Sequence, residues 1–244
     1  MENLEKIPRI IHYCWFGGNE KPVKIKKCIA SWNKYLKGYQ FMEWNETTFD
    51  VGCNNYVQQA YLSQKYAFVS DYVRLHALYC YGGIYMDTDV EVLKPLDRFI
   101  LHDSFWGFED EKHIATSIMG AVKENAIVKE FLDYYSCRNF VMSDGSCDMT
   151  TNVSVLTSIL LKQGLVNNGG LQQLLNGAVV YPRTYFSPYD YINCENFITG
   201  DSYTIHHFDK SWLSFHVRLK SRLKWWLSLI IGGERIAKVR KILS

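Results

Sequence analysis

Two carboxylates one residue apart, Asp87 and Asp89, stand directly behind a short apolar run, Ile84-Tyr85-Met86. In an extended strand, side chains at i and i+2 share a face. The spacing therefore predicts that both acids aim the same way at a strand end, with Thr88 turned away. Such a pair makes a hard-cation site that keeps open positions for phosphate oxygens. Upstream, Asp71 and Arg74 lie three apart in a helical stretch and so share a helix face. Gly82-Gly83 would turn that helix back along the strand. Asp71, Arg74, Asp87 and Asp89 are then expected to line one polar pocket at a strand's carboxyl end, where α/β sheets bind ligands. Each feature alone has a plainer reading, as a surface Asp-x-Asp or a solvated helix pair of small energetic value. The order of apolar helix, Gly-Gly, apolar strand and paired acids is what points to metal and phosphate.

The elements that must hold these residues are legible in part. Arg9 to Trp15 is rich in β-branched and aromatic residues and stops at Gly17-Gly18, as a buried first strand would. Pro22 to about Lys37 reads as a helix with proline near its start. Gln40-Phe41-Met42-Glu43-Trp44 alternates polar and apolar residues as a second strand. Strand, helix, strand at the start predicts an α/β protein with a parallel sheet. Gln64 to Tyr81 holds no Gly or Pro and ends at Gly82-Gly83, so a long helix is expected there. Helices are also expected at 125–137 and 153–163. Residues 100–120 and 140–200 carry short strands and loops in no readable order.

Composition sets the outer bounds. The 244 residues are 48% hydrophobic and 21% charged, which suits a globular α/β domain and excludes disorder, collagen and coiled coil. Seven cysteines without a C-x-x-C pair exclude a disulfide scaffold and predict a reduced compartment. The acidic start, Met1-Glu2-Asn3-Leu4-Glu5, lacks the basic and apolar regions of a secretory signal. The strongly apolar run Trp225 to Ile231 falls far short of the ~20 residues that span a bilayer. Charge is unevenly spread. Lys210 to Ser244 holds nine Lys/Arg against one acid, a net +8, which leaves −6 for the other 209 residues of a chain whose total is +2.

Ser70-Asp-x-x-Arg74 followed by Gly-Gly-Ile-Tyr-x-Asp-x-Asp89 resembles the glycosyltransferases with a DXD sugar-binding motif. These are the family 32 enzymes, related to yeast initiating mannosyltransferases, bacterial capsular polysaccharide transferases and the catalytic domains of large clostridial toxins. Ile7-Pro8-Arg9-Ile10-Ile11-His12-Tyr13-Cys14-Trp15-Phe16-Gly17-Gly18 is similar to the family's opening strand, and Thr204-Ile205-His206-His207 through Ser211-Trp212 to its closing segment. The three matches come in family order and reach from residue 7 to 212. The resemblance implies a GT-A fold, a Rossmann-like α/β domain binding a nucleotide-sugar and a divalent metal, usually Mn2+, with Mg2+ as the alternative. It implies that Asp89 ligates the metal and that Asp87 is shared between metal and donor. His206 would complete the metal shell, in preference to His207. Asp71, Arg74 and Tyr85 would contact the donor, Trp15 would stack on its base, and Ser211 and Trp212 would close over the diphosphate. The implied reaction is transfer of a hexose with retention, the acceptor hydroxyl attacking on the face from which the diphosphate leaves.

Past residue 212 the pattern changes. Leu219, Leu223, Trp226, Leu227, Ile230 and Ile231 share one helical face, flanked by Arg218, Arg222 and Lys224. Basic residues beside Trp and Leu describe an in-plane membrane helix. The expected organisation is a catalytic domain at 1–212 and basic amphipathic helices at 213–244 on an anionic membrane surface. That placement fits a bacterial enzyme on the cytoplasmic face, adding a sugar to a polyprenyl-diphosphate-linked saccharide of a capsule or other surface polysaccharide. The expected donor is a UDP-hexose such as UDP-galactose or UDP-glucose. GDP-mannose or a protein acceptor is the alternative. Two rivals are weaker. An Asp-x-Asp phosphatase would continue Gly-Thr near the N-terminus, whereas Val90-Glu91 follows Asp89 in mid-chain. A nucleic-acid binder conflicts with the acidic body, and no nucleic acid partner is expected.

Overall fold

The computed structural model describes residues 4–191, 193 and 195–208. Its centre is a seven-stranded sheet. The first strand, β1 (Ile10–Cys14), is followed by helix α1 (Val23–Tyr35) and β2 (Gln40–Trp44). β2 pairs parallel to β1 with Ile10 opposite Gln40, as the opening strand–helix–strand pattern predicts. Helix α2 (Asn55–Leu62) and helix α3 (Tyr66–Tyr81) come next, then β3 (Gly83–Met86), which lies parallel to β1 on its other side. β4 (Val90–Val92) leaves the main sheet. The remaining core strands are β5 (Ser104–Phe108), β6 (Ile114–Ala121), β7 (Gln172–Gln173) and β8 (Ala178–Tyr181), separated by helices α4 (Ala126–Asp133) and α5 (Asn152–Lys162). Helix α6 (Arg183–Phe186), the short pair β9 (Tyr189–Asp190) and β10 (Glu195–Asn196), and β11 (Thr204–His206) complete the order.

The sheet runs β2-β1-β3-β6-β5-β8-β7. The α/β class expected from the sequence holds, but the sheet is mixed. β6 is antiparallel to both β3 and β5, and β7 is antiparallel to β8. Alternation along β3 assigns the two layers. Tyr85 packs with α2, α3, α4 and α5 on one face, while Ile84 and Met86 pack with α1 and β4 on the other. Helix α3 is the buried spine of the first layer, with Val69, Val73, Leu75, Ala77 and Leu78 fully enclosed. Each of these valine and leucine side chains contributes about 1.5–3 kcal/mol on leaving water.

Two expectations need correction here. The helix read from Gln64 to Tyr81 begins at Tyr66, because Gln64 sits in the left-handed region at φ 56° and separates α3 from α2. Asp87 and Asp89 do not ride on a strand. β3 ends at Met86, and Val90 N donates to Asp87 O at 3.0 Å, so the acids stand on a tight turn between β3 and β4. The expected helices beyond residue 213 and the Ser211-Trp212 contact lie outside the described residues.

Candidate active site

The turn from α3 into β3 needs glycine at both positions. Gly82 has φ +66° and a Cβ there would lie 2.7 Å from Lys123 N. Gly83 has φ +112° and its Cβ would lie 2.7 Å from Ile10 O. This close approach lets β3 slot beside β1. His12 on β1 ties the turn down: its Nε2 contacts Gly82 O at 2.8 Å and Trp44 Nε1 donates to its Nδ1 at 3.2 Å. An indole N–H only donates, so Nδ1 is the acceptor and Nε2 carries the hydrogen. Burial pushes His12 down to about 4, which keeps it neutral. His12 of the opening motif is thus a strut.

Asp87, just past β3, is held from three sides. Its N donates to Ser117 O at 2.8 Å, Tyr85 Oη donates to Oδ1 at 2.8 Å, and Arg74 Nη1 stands 3.3 Å from the same oxygen. Arg74 reaches across from α3. Its Nε donates to Ser70 O at 3.1 Å and Nη1 to Thr116 O at 2.7 Å, Nη2 pairs with Asp71 Oδ1 at 3.0 Å, and the guanidinium lies 4.6 Å over the Tyr85 ring. Asp71 also accepts from Asn152 Nδ2 at 2.6 Å, and Asn152 Oδ1 accepts from Thr116 Oγ1 at 2.9 Å. Burial pushes the Asp71 carboxyl up to about 6 against the pull of Arg74, and raises Asp87 for the same reason.

Asp89 meets His206 through strand pairing. β11 is antiparallel to β4 with His206 opposite Val90. That register sets His206 Nε2 3.3 Å from Asp89 Oδ1, and His207 N donates to Asp89 O at 3.1 Å. Asp87, Asp89 and His206 each offer a ligand atom, all within 4.8 Å of one another. His207 turns instead to Glu91, 2.9 Å away. His206 Nδ1 is buried with no hydrogen-bond partner among the described residues. Burial lowers the pKa of His206, but Asp89 and Asp87 outweigh it and raise the value above 6.5.

The structure therefore brings Asp71, Arg74, Asp87, Asp89 and His206 into one constellation. Two of the expected donor contacts change character. Tyr85 is fully buried, and its hydroxyl serves Asp87. Arg74 is buried as well, and spends its N–H groups on backbone and carboxylates. Both are engaged by groups of the chain itself. Trp15 lies just past β1, at the same sheet edge as Asp87, half-buried, with Nε1 donating to Asn19 O at 2.6 Å and Lys21 5.5 Å over its ring. Asn152 escaped the sequence reading. It sits in the first turn of α5 and meets Asp71 across 81 positions of chain, and no local signal marks such a contact.

Residues 22–106 match the family described as "Glycosyltransferase sugar-binding region containing DXD motif". An uncharacterised glycosyltransferase of Acanthamoeba polyphaga mimivirus is 24% identical over 221 residues, covering 87% of this chain and 86% of that one. Inositol phosphoceramide mannosyltransferase 1 of Schizosaccharomyces pombe is 32% identical over 113 residues, 42% of this chain and 34% of that protein, so the match spans about a third of its length. Among solved structures, the PaToxG glycosyltransferase aligns with a TM-score of 0.47 at 20% identity, over 65% of this chain and 69% of that one. The family match, which contains Asp71, Arg74, Asp87 and Asp89, and the sequence relatives agree: the chain is a glycosyltransferase whose residues 22–106 are similar to the DXD-containing sugar-binding region.

Proposed function

We propose that this glycosyltransferase moves a hexose from a nucleotide-sugar to a hydroxyl of a lipid-linked saccharide, with retention, and that Asp87, Asp89 and His206 hold the divalent cation the reaction needs. The observation that carries this is the convergence of the three ligands within 4.8 Å at the turn after β3. The donor set fits the ion. Two carboxylates are hard ligands, one imidazole is borderline, and the buried Nδ1 of His206 has no hydrogen-bond partner among the described residues, which supports this reading. Mn2+ accepts both ligand types, and Mg2+ fits less well with the imidazole. When bound, such a cation neutralises charge on the leaving diphosphate.

The chain's own residues prepare the site. Arg74 fixes Asp71 and Asp87 in place and offsets part of their mutual repulsion. Asp71 presents a carboxylate toward donor hydroxyls, and Trp15 offers a ring to the base. The acceptor oxygen bonds to the anomeric carbon as the carbon–oxygen bond to diphosphate breaks, the electron pair leaving with the diphosphate. Departing phosphate oxygen takes the acceptor's proton.

A UDP-hexose is the preferred donor. GDP-mannose is the second reading, favoured by the relatives whose names say they transfer mannose. The acceptor reading rests on the basic amphipathic segment beyond residue 213, which also supports a place on the inner face of a bacterial membrane in surface-polysaccharide assembly. Thermal unfolding against UDP, GDP, CMP and dTDP sugars, with Mn2+ or EDTA, tests the core of the proposal. A ligand at 100 times its Kd stabilises by about 2.7 kcal/mol, so one nucleotide class should raise the midpoint only with Mn2+. Asp89→Ala should remove that shift and lower transfer by at least about a hundredfold while the fold persists. Full activity in Asp89→Ala would overturn the cation assignment.

A further inference from the structure

Beside the cation cluster lies a cavity of about 210 Å3, whose lining includes Glu109, Arg183, Asp190, Tyr191, Asn193 and Phe208. We propose that this cavity is the subsite for the acceptor sugar, which it takes as a neutral polyol ring. The inference rests on the glycosyltransferase reading and adds the place and chemistry of the second substrate.

Position is the first argument. The Phe208 ring stacks against His206 at 3.9 Å between centroids and against Tyr191 at 4.3 Å. Phe208 is therefore a shared wall, with the cation ligand on one side and the cavity on the other. Glu109, which follows β5 and lines the cavity, lies close enough to His206 and Arg183 for both to act on its carboxyl electrostatically. A ring seated there stands next to whatever the cation holds.

Chemistry is the second argument. The lining combines aromatic faces, which cover the C–H face of a pyranose, with carboxylate and amide groups that bond its hydroxyls. Asp190 is fixed by Asn193, whose N and Nδ2 donate to it at 3.0 and 2.8 Å. Arg183 Nε is buried with no hydrogen-bond partner among the described residues. Arg183 also lines the cavity, and its other N–H groups can donate to sugar oxygens. Size agrees: at about 30 Å3 per water, the space holds roughly seven waters, the scale of one monosaccharide.

Charge is the third. Glu109, Asp110 and Asp190 line the space against one arginine. That surplus of carboxylate repels a diphosphate, so the donor's charged end belongs at the cation and a neutral ring belongs here.

The test uses the full chain with Mn2+ and UDP or GDP, whichever binds. Saturation-transfer NMR with the methyl glycosides of glucose, galactose, mannose and N-acetylglucosamine should show one that binds. Asp190→Asn and Tyr191→Ala should each weaken that glycoside at least about tenfold, a loss of roughly 1.4 kcal/mol, with the nucleotide Kd altered less than about twofold. Melting curves of both variants check that they fold. Unchanged glycoside binding in both folded variants overturns the proposal, as does nucleotide affinity falling in step, or saturation transfer from none of the four glycosides. Nucleotide binding is measured first and alone. If it fails, the donor reading falls, whereas nucleotide binding without a glycoside response sinks only the acceptor subsite.

Discussion

His206 is held between a proton and a cation. Asp89 and Asp87 raise its pKa, so the metal-free folded chain binds a proton there more tightly than the unfolded chain does. That proton stabilises the fold fully below about 6.5, and the stabilisation is lost as pH rises through the raised value. A cation needs the ring neutral. In EDTA the melting midpoint should therefore fall from pH 6.5 upward, while the Mn2+-induced shift should grow over the same range. A Mn2+ shift independent of pH would exclude His206 from the shell. Arg74 makes a second case at this scale. It bridges two carboxylates and two backbone carbonyls with a planar fork that lysine lacks. Arg74→Lys should keep the charge and lose the bridge, costing about 1–3 kcal/mol as buried acceptors are left without their donors. Urea unfolding measures this, and a cost under about 1 kcal/mol would mean the network is only a surface-like pair.

The unit that delivers the acids is α3, the Gly-Gly turn and β3. It was legible because each part has a local cause. α3 is apolar nearly all round, the glycines occupy backbone positions closed to other residues, and β3 is apolar on both faces. Gly83→Ala places a Cβ 2.7 Å from Ile10 O at φ +112°. The strain and clash should cost about 1–3 kcal/mol and shift Asp87, so lower stability should come with weaker Mn2+ binding. Stability lost with unchanged Mn2+ affinity would mean that the turn does not position the acid. The Asp-x-Asp pair was legible as a pair, but its geometry was not. Strand alternation suggested convergence, whereas a turn achieves it, with His206 brought in by β11. α2 escaped because Asn54, which caps it by accepting from Val57 N at 3.3 Å, lies in a polar stretch too short to show a period. The antiparallel β6 and the two-residue strands beyond residue 170 escaped for a related reason. β6 pairs with β3, which is distant in sequence, and two residues are too few to show a strand period, so nothing local records either.

At the scale of the molecule, the acidic body and the basic end pull toward different surroundings. No helix among the described residues is long and apolar enough to cross a membrane. The proposed attachment is peripheral, with the segment beyond residue 213 as its carrier. Deletion from Lys220 onward should abolish sedimentation with vesicles containing anionic lipid, while leaving Mn2+-dependent nucleotide binding in place. Persistent sedimentation of the shortened chain would move the contact to the folded body.

The pairing of β4 with β11 carries a consequence for the timing of catalysis. Asp87 and Asp89 come from the middle of the chain and His206 from near its described end, and a short ladder of three residue pairs with a few flanking polar contacts joins those segments. A cation placed among them acts as a clasp, closing a long loop that is otherwise expensive in chain entropy. Phe208 follows the clasp by two residues and walls the proposed acceptor cavity. On that reading a loaded cation site would hold the wall of the second pocket in place. The enzyme would then bind its substrates in a compulsory order, donor with metal before acceptor, enforced by the way the chain is threaded.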